Sequence, residues 1–177
     1  MRHIAITDEL TGLLNRRGFK TLAEQQINSA KRMEDFAFLL YADLDNLKWI
    51  NDTLGHEVGD QAIKEAALIL QQTFRKADII GRLGGDEFAV LMTDKQQNYD
   101  PKTVNDRLQR HIDNLNREEG RQYELSLSIG IVFCEDFSCC DFDDLLSKAD
   151  NLMYENKMCK KKQGYVPRSF VGTGNQT

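Results

Sequence analysis

Hydrophobic residues along the chain follow two spacings, which predict where helices and strands lie. A helical spacing of three and four residues predicts helices over 16–33, 59–74, 103–118 and a last one that follows Asp141. Shorter apolar runs predict strands at 36–44, 79–83, 87–92 and 124–133. Run 36–44 is apolar on both faces, so it predicts a central strand. The order of elements favours an α+β fold in which helices cover a mostly antiparallel sheet.

The segment between the second and third strands predicts a tight hairpin turn. Gly84 and Gly85 stand there, and glycine accepts the positive φ that such turns require. Asn15 and Asp141 precede two of the predicted helices, and their side chains are of the type that caps a helix.

Four carboxylates stand at the ends of these strands. Asp86 and Glu87 follow the glycine turn, and Asp43 and Asp45 end the run 36–44. Strand alternation puts Asp43 and Asp45 on one face, and Asp43 approaches Asp86 or Glu87 if the strands are neighbours. Such a cluster suits Mg²⁺, a hard cation that prefers oxygen ligands. The alternative is that each acid is solvated at its strand end.

Residues that follow Asp45 predict an anion site. Asn46, Leu47 and Lys48 begin a short helix, whose free N–H groups favour a triphosphate. The alternative has Lys48 solvated. Asp60 is predicted at the N-terminal end of the helix 59–74, where a cap is its simplest role.

Length and charge narrow the class of protein. The chain has 177 residues, enough for one domain with a core, and its net charge of −5 argues against nucleic-acid polymers and anionic membranes as partners. We expect no membrane contact and a cytoplasmic location, because the longest apolar stretch is about nine residues and no signal peptide opens the chain. The four cysteines include no CxxC pair, so reduced thiols without function are expected.

Several motifs together resemble the GGDEF family of diguanylate cyclases. They run over 43–60 and 84–88, preceded by an opening signature at 8–17 and followed by Ser128-Ile129-Gly130 and by 149–157. The resemblance covers about residues 6–164. It implies one GGDEF domain over 1–164, a palm-like fold of nucleotide cyclases with a five-stranded sheet surrounded by helices, and a flexible tail over 165–177.

This resemblance implies that two GTP molecules condense to cyclic di-GMP with release of two pyrophosphates. It also implies two Mg²⁺ or Mn²⁺ ions per active site, held by Asp43, Asp86, Glu87 and the Leu44 carbonyl. Asp86 and Glu87 would be the catalytic residues beside the attacking hydroxyl. Because the product is two-fold symmetric, catalysis needs a homodimer, and an isolated domain is expected to be monomeric and slow.

The resemblance also implies which further residues contact the substrate. Asn51 and Asp60 would read guanine, and the remaining contacts would be Asn46, Leu47, Lys48, Gly84, Gly85, Lys157 and Lys161. The family's glycine-arginine-asparagine ending is replaced by Lys160, Lys161 and Lys162, so the contact of Lys161 departs from the pattern. For Lys160 and Lys162, solvated lysines are the alternative.

The resemblance also implies regulation. Arg75 and Asp78 match the family's RxxD inhibitory site, at which cyclic di-GMP would bind as product and inhibitor. A sensor or receiver domain is expected to precede the domain. The alternative function is a catalytically silent receptor for GTP or cyclic di-GMP.

Overall fold

The structure is a computed structural model that describes residues 5–95, 99–134 and 141–164. The predicted tail, Cys139 and Cys140 lie outside these residues. The elements in chain order are α1 (Arg16–Met33), β1 (Phe36–Leu44), α2 (Leu47–Leu54), α3 (His56–Thr73), β2 (Ile79–Arg82), β3 (Glu87–Asp94), α4 (Pro101–Asn116), β4 (Leu127–Cys134) and α5 (Phe142–Lys162).

All the predicted helices and strands are present, and both predicted caps are confirmed. The Asn15 side chain accepts from the Gly18 N–H at 2.9 Å, and Asp141 accepts from the Asp144 N–H at 2.8 Å. Helix α1 ends at Met33 because Glu34 takes a left-handed conformation with φ 58°. These local signals fix the ends of α1 and the start of α5.

The predicted first residues of three elements were wrong. Helix α3 begins at His56, not at residue 59, and α4 begins at Pro101, where proline costs no helix hydrogen bond and Asp100 caps the first turn. Strand β4 begins at Leu127, and Leu125, two residues earlier, bonds outside the sheet. The Leu125 N–H donates to the Asn116 side chain at 2.8 Å.

The sheet has the order β2-β3-β1-β4, and every neighbouring pair is antiparallel. Strand β1 therefore lies inside the sheet, as its apolar sequence predicted. Over residues 5–95, 99–134 and 141–164 the sheet has four strands, so the expected five-stranded sheet is wrong. The fifth strand was implied only by the resemblance. In these ranges, each apolar run of strand length already belongs to an element named above.

Alternate residues of β1 pack into two cores, one on each face of the sheet. Phe38, Leu40, Ala42 and Leu44 pack with residues of α3 and α4. Ala37, Leu39 and Tyr41 pack with residues of α1 and α5. Because Asp43 and Asp45 continue the second series, their side chains lie on the α5 side of the sheet.

Helix α5 lies directly on the backbone of β4. A Cβ added at Gly130 would lie 2.2 Å from the Ala149 carbonyl oxygen, so glycine is required for this approach. Phe142, Leu145, Ala149 and Met153 form the buried stripe of the helix. Leu152, at the edge of that stripe, is 42% exposed.

The described helices were also searched for membrane spans. None of them combines the length and the apolar character that crossing a bilayer requires.

Candidate active site and regulatory cleft

The turn between β2 and β3 is held in place by Arg82. Its guanidinium donates to the carbonyl oxygens of Gly84 at 3.1 Å and Gly85 at 2.9 Å, and to both oxygens of Asp8 at 3.1 Å. Burial disfavours the charge on Asp8, but hydrogen bonds from Thr11 and Arg82 outweigh it and lower the pKa of this carboxyl. The sequence analysis missed Arg82, although an arginine directly before the turn was visible.

The prediction of positive φ in this turn was wrong. Among the described glycines, those with positive φ are Gly12, Gly55, Gly120 and Gly164. A Cβ at Gly84 would lie 2.4 Å from a carboxylate oxygen of Glu87, so a side chain there would displace that carboxylate. Gly85 is exposed, and a Cβ added to it would meet nothing within 4 Å.

The neighbouring strands bring Asp43 beside the turn, as predicted. Asp43 pairs with Glu87 in the β1–β3 register, and the next N–H, of Leu44, donates to the Asp86 carbonyl at 2.8 Å. Asp43 and Asp45 are each only 7% exposed, so the alternative of solvated acids is wrong for both. Asp86 and Glu87 are half-buried.

Glu87 also lies near the hydroxyl of Tyr41, which is two residues before Asp43 on the same face. Burial raises the pKa of Tyr41, and the Glu87 carboxylate raises it further. Tyr41 is therefore neutral at physiological pH and able to donate to the carboxylate.

Lys157 of α5 forms an ion pair with Asp43. Burial disfavours its charge, but the hydrogen bond to Asp43 and the charges of Asp43, Asp45 and Asp86 raise the pKa of Lys157. Burial also raises the pKa of Asp43; Lys157 opposes this effect, and Asp86 adds to it. The ammonium group thus lies among three carboxylates.

Asp45 lies in a second, separate set of contacts. Its oxygens accept from the hydroxyls of Ser126 and Ser128, each at 2.7 Å, and from Lys160 at 3.0 Å. The alternative that Lys160 is solvated is therefore wrong, because its side chain is only 28% exposed and reaches a buried acid. We call Asp43, Asp45, Asp86, Lys157 and Lys160 the aspartate–lysine cluster.

The predicted nucleotide contacts lie on α2 and α3. Asn46 takes a left-handed conformation before α2, and it and Lys48 are exposed, whereas Leu47 packs against the core. Lys161 is likewise exposed on the last turn of α5. The structure thus leaves the start of α2 accessible, as an anion site requires.

Asn51 and Asp60, the predicted guanine contacts, lie near the junction of α2 and α3. The Asn51 side chain fills the space where a Cβ of Gly59 would be, with its oxygen 1.8 Å from that position. Asp60 is exposed and lies in the second turn of a helix that begins at His56. Its predicted placement at the N-terminal end, and with it the cap, is wrong, because the helix starts four residues earlier.

Arg75 and Asp78 lie on a cleft of ≈ 690 Å³, which we call the arginine–aspartate cleft. The Arg75 N–H donates to Asp78 at 2.8 Å, and its guanidinium lies 3.4 Å from Asp94 and 5.0 Å from the centre of the Tyr99 ring. The Tyr99 hydroxyl donates to Asp78 at 3.2 Å. Sequence analysis missed Tyr99, because its position beside Asp78 depends on the packing of the segment before α4.

Ionisation in this cleft is shifted by burial. Burial raises the pKa of Asp78, although hydrogen bonds from Arg75 and Tyr99 and the charge of Arg107 oppose it. Burial and Asp78 raise the pKa of Tyr99 to about 12. The Arg107 Nε is buried and has no hydrogen-bond partner among the residues that the structure describes.

Metal binding can be judged from the donors that are present. Among the described residues, no three His, Cys, Asp or Glu side chains are grouped as a metal site. Asp43 and Asp86 are close enough for the charge of one to raise the pKa of the other, and the Leu44 carbonyl belongs to the same strand end. Two carboxylates and a carbonyl are oxygen donors, which fit a hard divalent cation.

Comparison with known proteins assigns the chain to a family. A family profile described as the diguanylate cyclase GGDEF domain matches residues 5–163. The probable diguanylate cyclase DgcC of Escherichia coli strain K12 is 35% identical over 159 residues, which are 90% of this chain and 42% of that protein. The chain belongs to the GGDEF-domain family of diguanylate cyclases.

Two other similar proteins add to this picture. The cyclic di-GMP phosphodiesterase NbdA of Pseudomonas aeruginosa is 31% identical over 160 residues, or 90% of this chain and 20% of that protein. The GGDEF domain of DgcB from Caulobacter crescentus, crystallised with cyclic di-GMP, superposes with a TM-score of 0.76 at 24% identity, covering 93% of this chain and 94% of that one. The palm-like fold is thereby confirmed. The chain spans less than half of either curated relative.

Proposed function

We propose that this domain is a diguanylate cyclase that condenses two GTP molecules into cyclic di-GMP and two pyrophosphates. Each 3'-hydroxyl attacks the α-phosphorus of the other nucleotide, and pyrophosphate leaves. The observation that carries this proposal is the buried Asp43, which lies beside Asp86 and is neutralised by Lys157. A buried carboxylate beside a second carboxylate is costly unless a cation lies near it, so the site favours cations.

Asp43, Asp86 and the Leu44 carbonyl would hold the metal, with Glu87 alongside. Two Mg²⁺ or Mn²⁺ ions per active site would neutralise charge on the triphosphate, and dependence on a metal is general in this family. Lys157 would exchange its bond with Asp43 for a bond with phosphate once that carboxylate has a metal partner.

Proton transfer and phosphate binding are assigned to exposed or half-exposed groups. Asp86 or Glu87 would accept the proton of the attacking hydroxyl, since both are half-buried beside the turn. The N–H groups at the start of α2, with Lys48 and Lys161, would bind the phosphates. Asn46, Leu47, Gly84 and Gly85 would line the path of the nucleotide, and glycine leaves room for it.

Guanine would be read by Asn51 and Asp60. A carboxylate accepts from the N1–H and the N2 amino group of guanine, whereas adenine offers an acceptor at N1 and no N2 amine. Discrimination by Asp60 therefore comes from a hydrogen bond that adenine cannot form. Exchange of the Asp60 carboxylate for an apolar side chain should weaken the preference for GTP over ATP.

Two domains are needed because the product is a two-fold symmetric ring. Each chain would hold one GTP and present it to the other across a C₂ axis. An isolated domain should therefore be slow at low concentration. Light scattering together with a pyrophosphate-release assay tests this, and a monomer with full turnover would contradict it.

Product inhibition would take place in the arginine–aspartate cleft. Arg75 is exposed and would pair with phosphate or stack on guanine, while Asp78 accepts from guanine. The charge of Arg107, which acts on Asp78, adds to the positive potential on this side of the cleft. Cyclic di-GMP bound here would slow the enzyme.

The test is incubation of the protein with GTP and Mg²⁺, followed by mass spectrometry for cyclic di-GMP. Asp86→Asn is the matched control, because it removes one charge and keeps the size of the side chain. Formation of cyclic di-GMP by the native chain but not by the variant supports the proposal. Absence of product at high protein concentration, repeated with two domains joined by a dimerising fusion, would overturn it.

A second candidate function is a catalytically silent receptor for GTP or cyclic di-GMP. The observation that favours it is the direct ion pair of Lys157 with Asp43, because Lys157 already neutralises a carboxylate that would hold the metal. A segment similar to this chain also forms a fifth of NbdA, which is named a phosphodiesterase. Binding of either nucleotide by calorimetry, with no turnover in the preceding assay, would select this function.

A further inference from the structure

Asp45 accepts hydrogen bonds from three side chains, two next to or in β4 and one on α5. Asp45 is 7% exposed, and its two oxygens accept from Ser126, Ser128 and Lys160. Lys160 also donates to the Leu127 carbonyl and lies 3.3 Å from the Ser126 hydroxyl. One lysine of α5 thus joins β1 to β4 beside the proposed active site.

Spacing along the two elements explains why two lysines serve two aspartates. Asp43 and Asp45 are two residues apart on an extended chain, which separates them by roughly 6.6 Å. Lys157 and Lys160 are three residues apart on a helix, which separates them by roughly 4.5 Å along its axis. Flexible lysine side chains bridge the remaining difference, so that Lys157 reaches Asp43 and Lys160 reaches Asp45.

The two ion pairs are coupled through Lys157. The charges of Asp43, Asp45 and Asp86 all act on the Lys157 ammonium, so Asp45 competes with the other two for it. Lys160 neutralises Asp45 and removes that competition. Lys160 stands where the pattern described above has glycine, so this contact comes from a side chain that the pattern lacks.

We infer that Lys160 is a positioning residue for nucleotide binding: by neutralising the buried Asp45, it keeps Lys157 beside Asp43 and Asp86, where triphosphate would bind. This inference rests on the proposed function. Without Lys160, Asp45 would be a buried charge with two hydroxyl donors and no cation. Lys157 would then be drawn toward it, away from the phosphates.

The experiment measures affinity for the α,β-methylene analogue of GTP with Mg²⁺, by calorimetry, in a double-mutant cycle of Lys157→Met and Lys160→Met. We expect Lys160→Met to weaken binding by about fivefold in the native background and by less than about twofold in the Lys157→Met background. Lys160→Arg keeps the charge and should bind like the native chain. Lys162→Met removes an exposed lysine from the same last turn and should also bind like the native chain.

Thermal unfolding of each variant separates positioning from folding. A lower melting temperature with unchanged affinity for Lys160→Met would overturn the inference, and so would an equal loss in both backgrounds. If Lys160→Met does not fold, Ser126→Ala removes one donor to Asp45 and should weaken binding in the same direction, with no change overturning the inference. If the native chain itself does not bind the analogue, the proposed function fails and the inference fails with it.

Discussion

The aspartate–lysine cluster and the arginine–aspartate cleft are both groups of opposite charges at strand ends, but they are assembled differently. In the cluster, each lysine reaches an aspartate more than 100 residues earlier in the chain, and both acids are buried. In the cleft, Arg75 bonds to Asp78 three residues later, and the Arg75 side chain is 60% exposed. The cluster depends on the docking of α5, whereas the cleft depends on one local turn.

This difference indicates how much each of the two sites must rearrange to bind a ligand. In the cluster the cations already have partners, so metal and nucleotide must exchange with existing ion pairs. In the cleft the Arg75 guanidinium also has a partner, Asp94 at 3.4 Å, but it is 60% exposed, so a ligand can be added with less rearrangement. We therefore expect substitutions in the cluster to affect turnover and folding together, and substitution of the exposed Arg75 in the cleft to affect inhibition alone.

The largest effect is expected for Asp43→Asn. Loss of this carboxylate removes a proposed metal ligand, and formation of cyclic di-GMP should fall by about 1,000-fold, since metal stabilisation contributes several kcal/mol. Mass spectrometry of the product measures this loss. Binding of cyclic di-GMP to the cleft should be unchanged by calorimetry. Turnover within about tenfold of the native rate would contradict the role of Asp43.

The second largest effect is expected for Arg75→Ala, a substitution in the arginine–aspartate cleft. Loss of charge-assisted hydrogen bonds should raise the cyclic di-GMP concentration for half-inhibition by about tenfold or more. The initial rate without product should not change. Arg110→Ala, an exposed arginine of α4, is the matched control and should leave inhibition as it is. Unchanged inhibition in steady-state assays of Arg75→Ala would exclude this site.

Gly130→Ala should show that the cluster depends on the docking of α5. The added Cβ would lie 2.2 Å from the Ala149 carbonyl, so the free energy of unfolding should fall by about 1–3 kcal/mol. Urea denaturation measures this change. Gly85→Ala is the control, because its Cβ meets nothing within 4 Å and stability should stay within about 0.5 kcal/mol. Equal stability of the two variants would argue against tight docking.

The smallest expected effect is a pH dependence of stability that comes from Asp78. Burial raises its pKa in the folded chain, so its contribution to stability is present below the ordinary carboxyl pKa and is lost as pH rises through the folded value. The stability of Asp78→Asn relative to the native chain should therefore increase with pH from about pH 4 upward. Chemical denaturation over a pH series measures this slope.

Asp8 should show a pH dependence of stability opposite in sign to that of Asp78. Its pKa is lowered in the folded chain, so its stabilisation is present above the ordinary carboxyl pKa and is lost as pH falls through the folded value. Asp8→Asn should therefore lose stability relative to the native chain at neutral pH and recover that difference in acid. Slopes of the same sign for the two variants would contradict the assigned partners.

Much of the fold could be predicted because its signals are local. The spacing of Phe19, Ala23 and Ile27 marks the buried face of α1, and Asn15 marks its start. The unbroken apolar run of β1 predicted a central strand, and strand alternation then placed Asp43 toward Glu87. Each of these predictions needs only neighbouring residues and the period of a helix or strand.

Other features could not be predicted because they depend on which side chains the fold brings into contact. The glycines of the turn were expected to have positive φ, but neither has it, and the turn is held instead by the Arg82 side chain. Likewise, a sequence shows that Lys160 is charged without showing which acid its flexible side chain reaches. The same holds for the ring of Tyr99 against Arg75.

The sequence by itself determined the elements, the family and the residue types at the proposed site, because periodicity and motif spacing are properties of neighbouring residues. The tertiary structure alone decided which lysine meets which aspartate, because that choice depends on how α5 packs across Gly130 of β4. Long side chains can reach many partners from one backbone position, and only packing and burial of charge select among them.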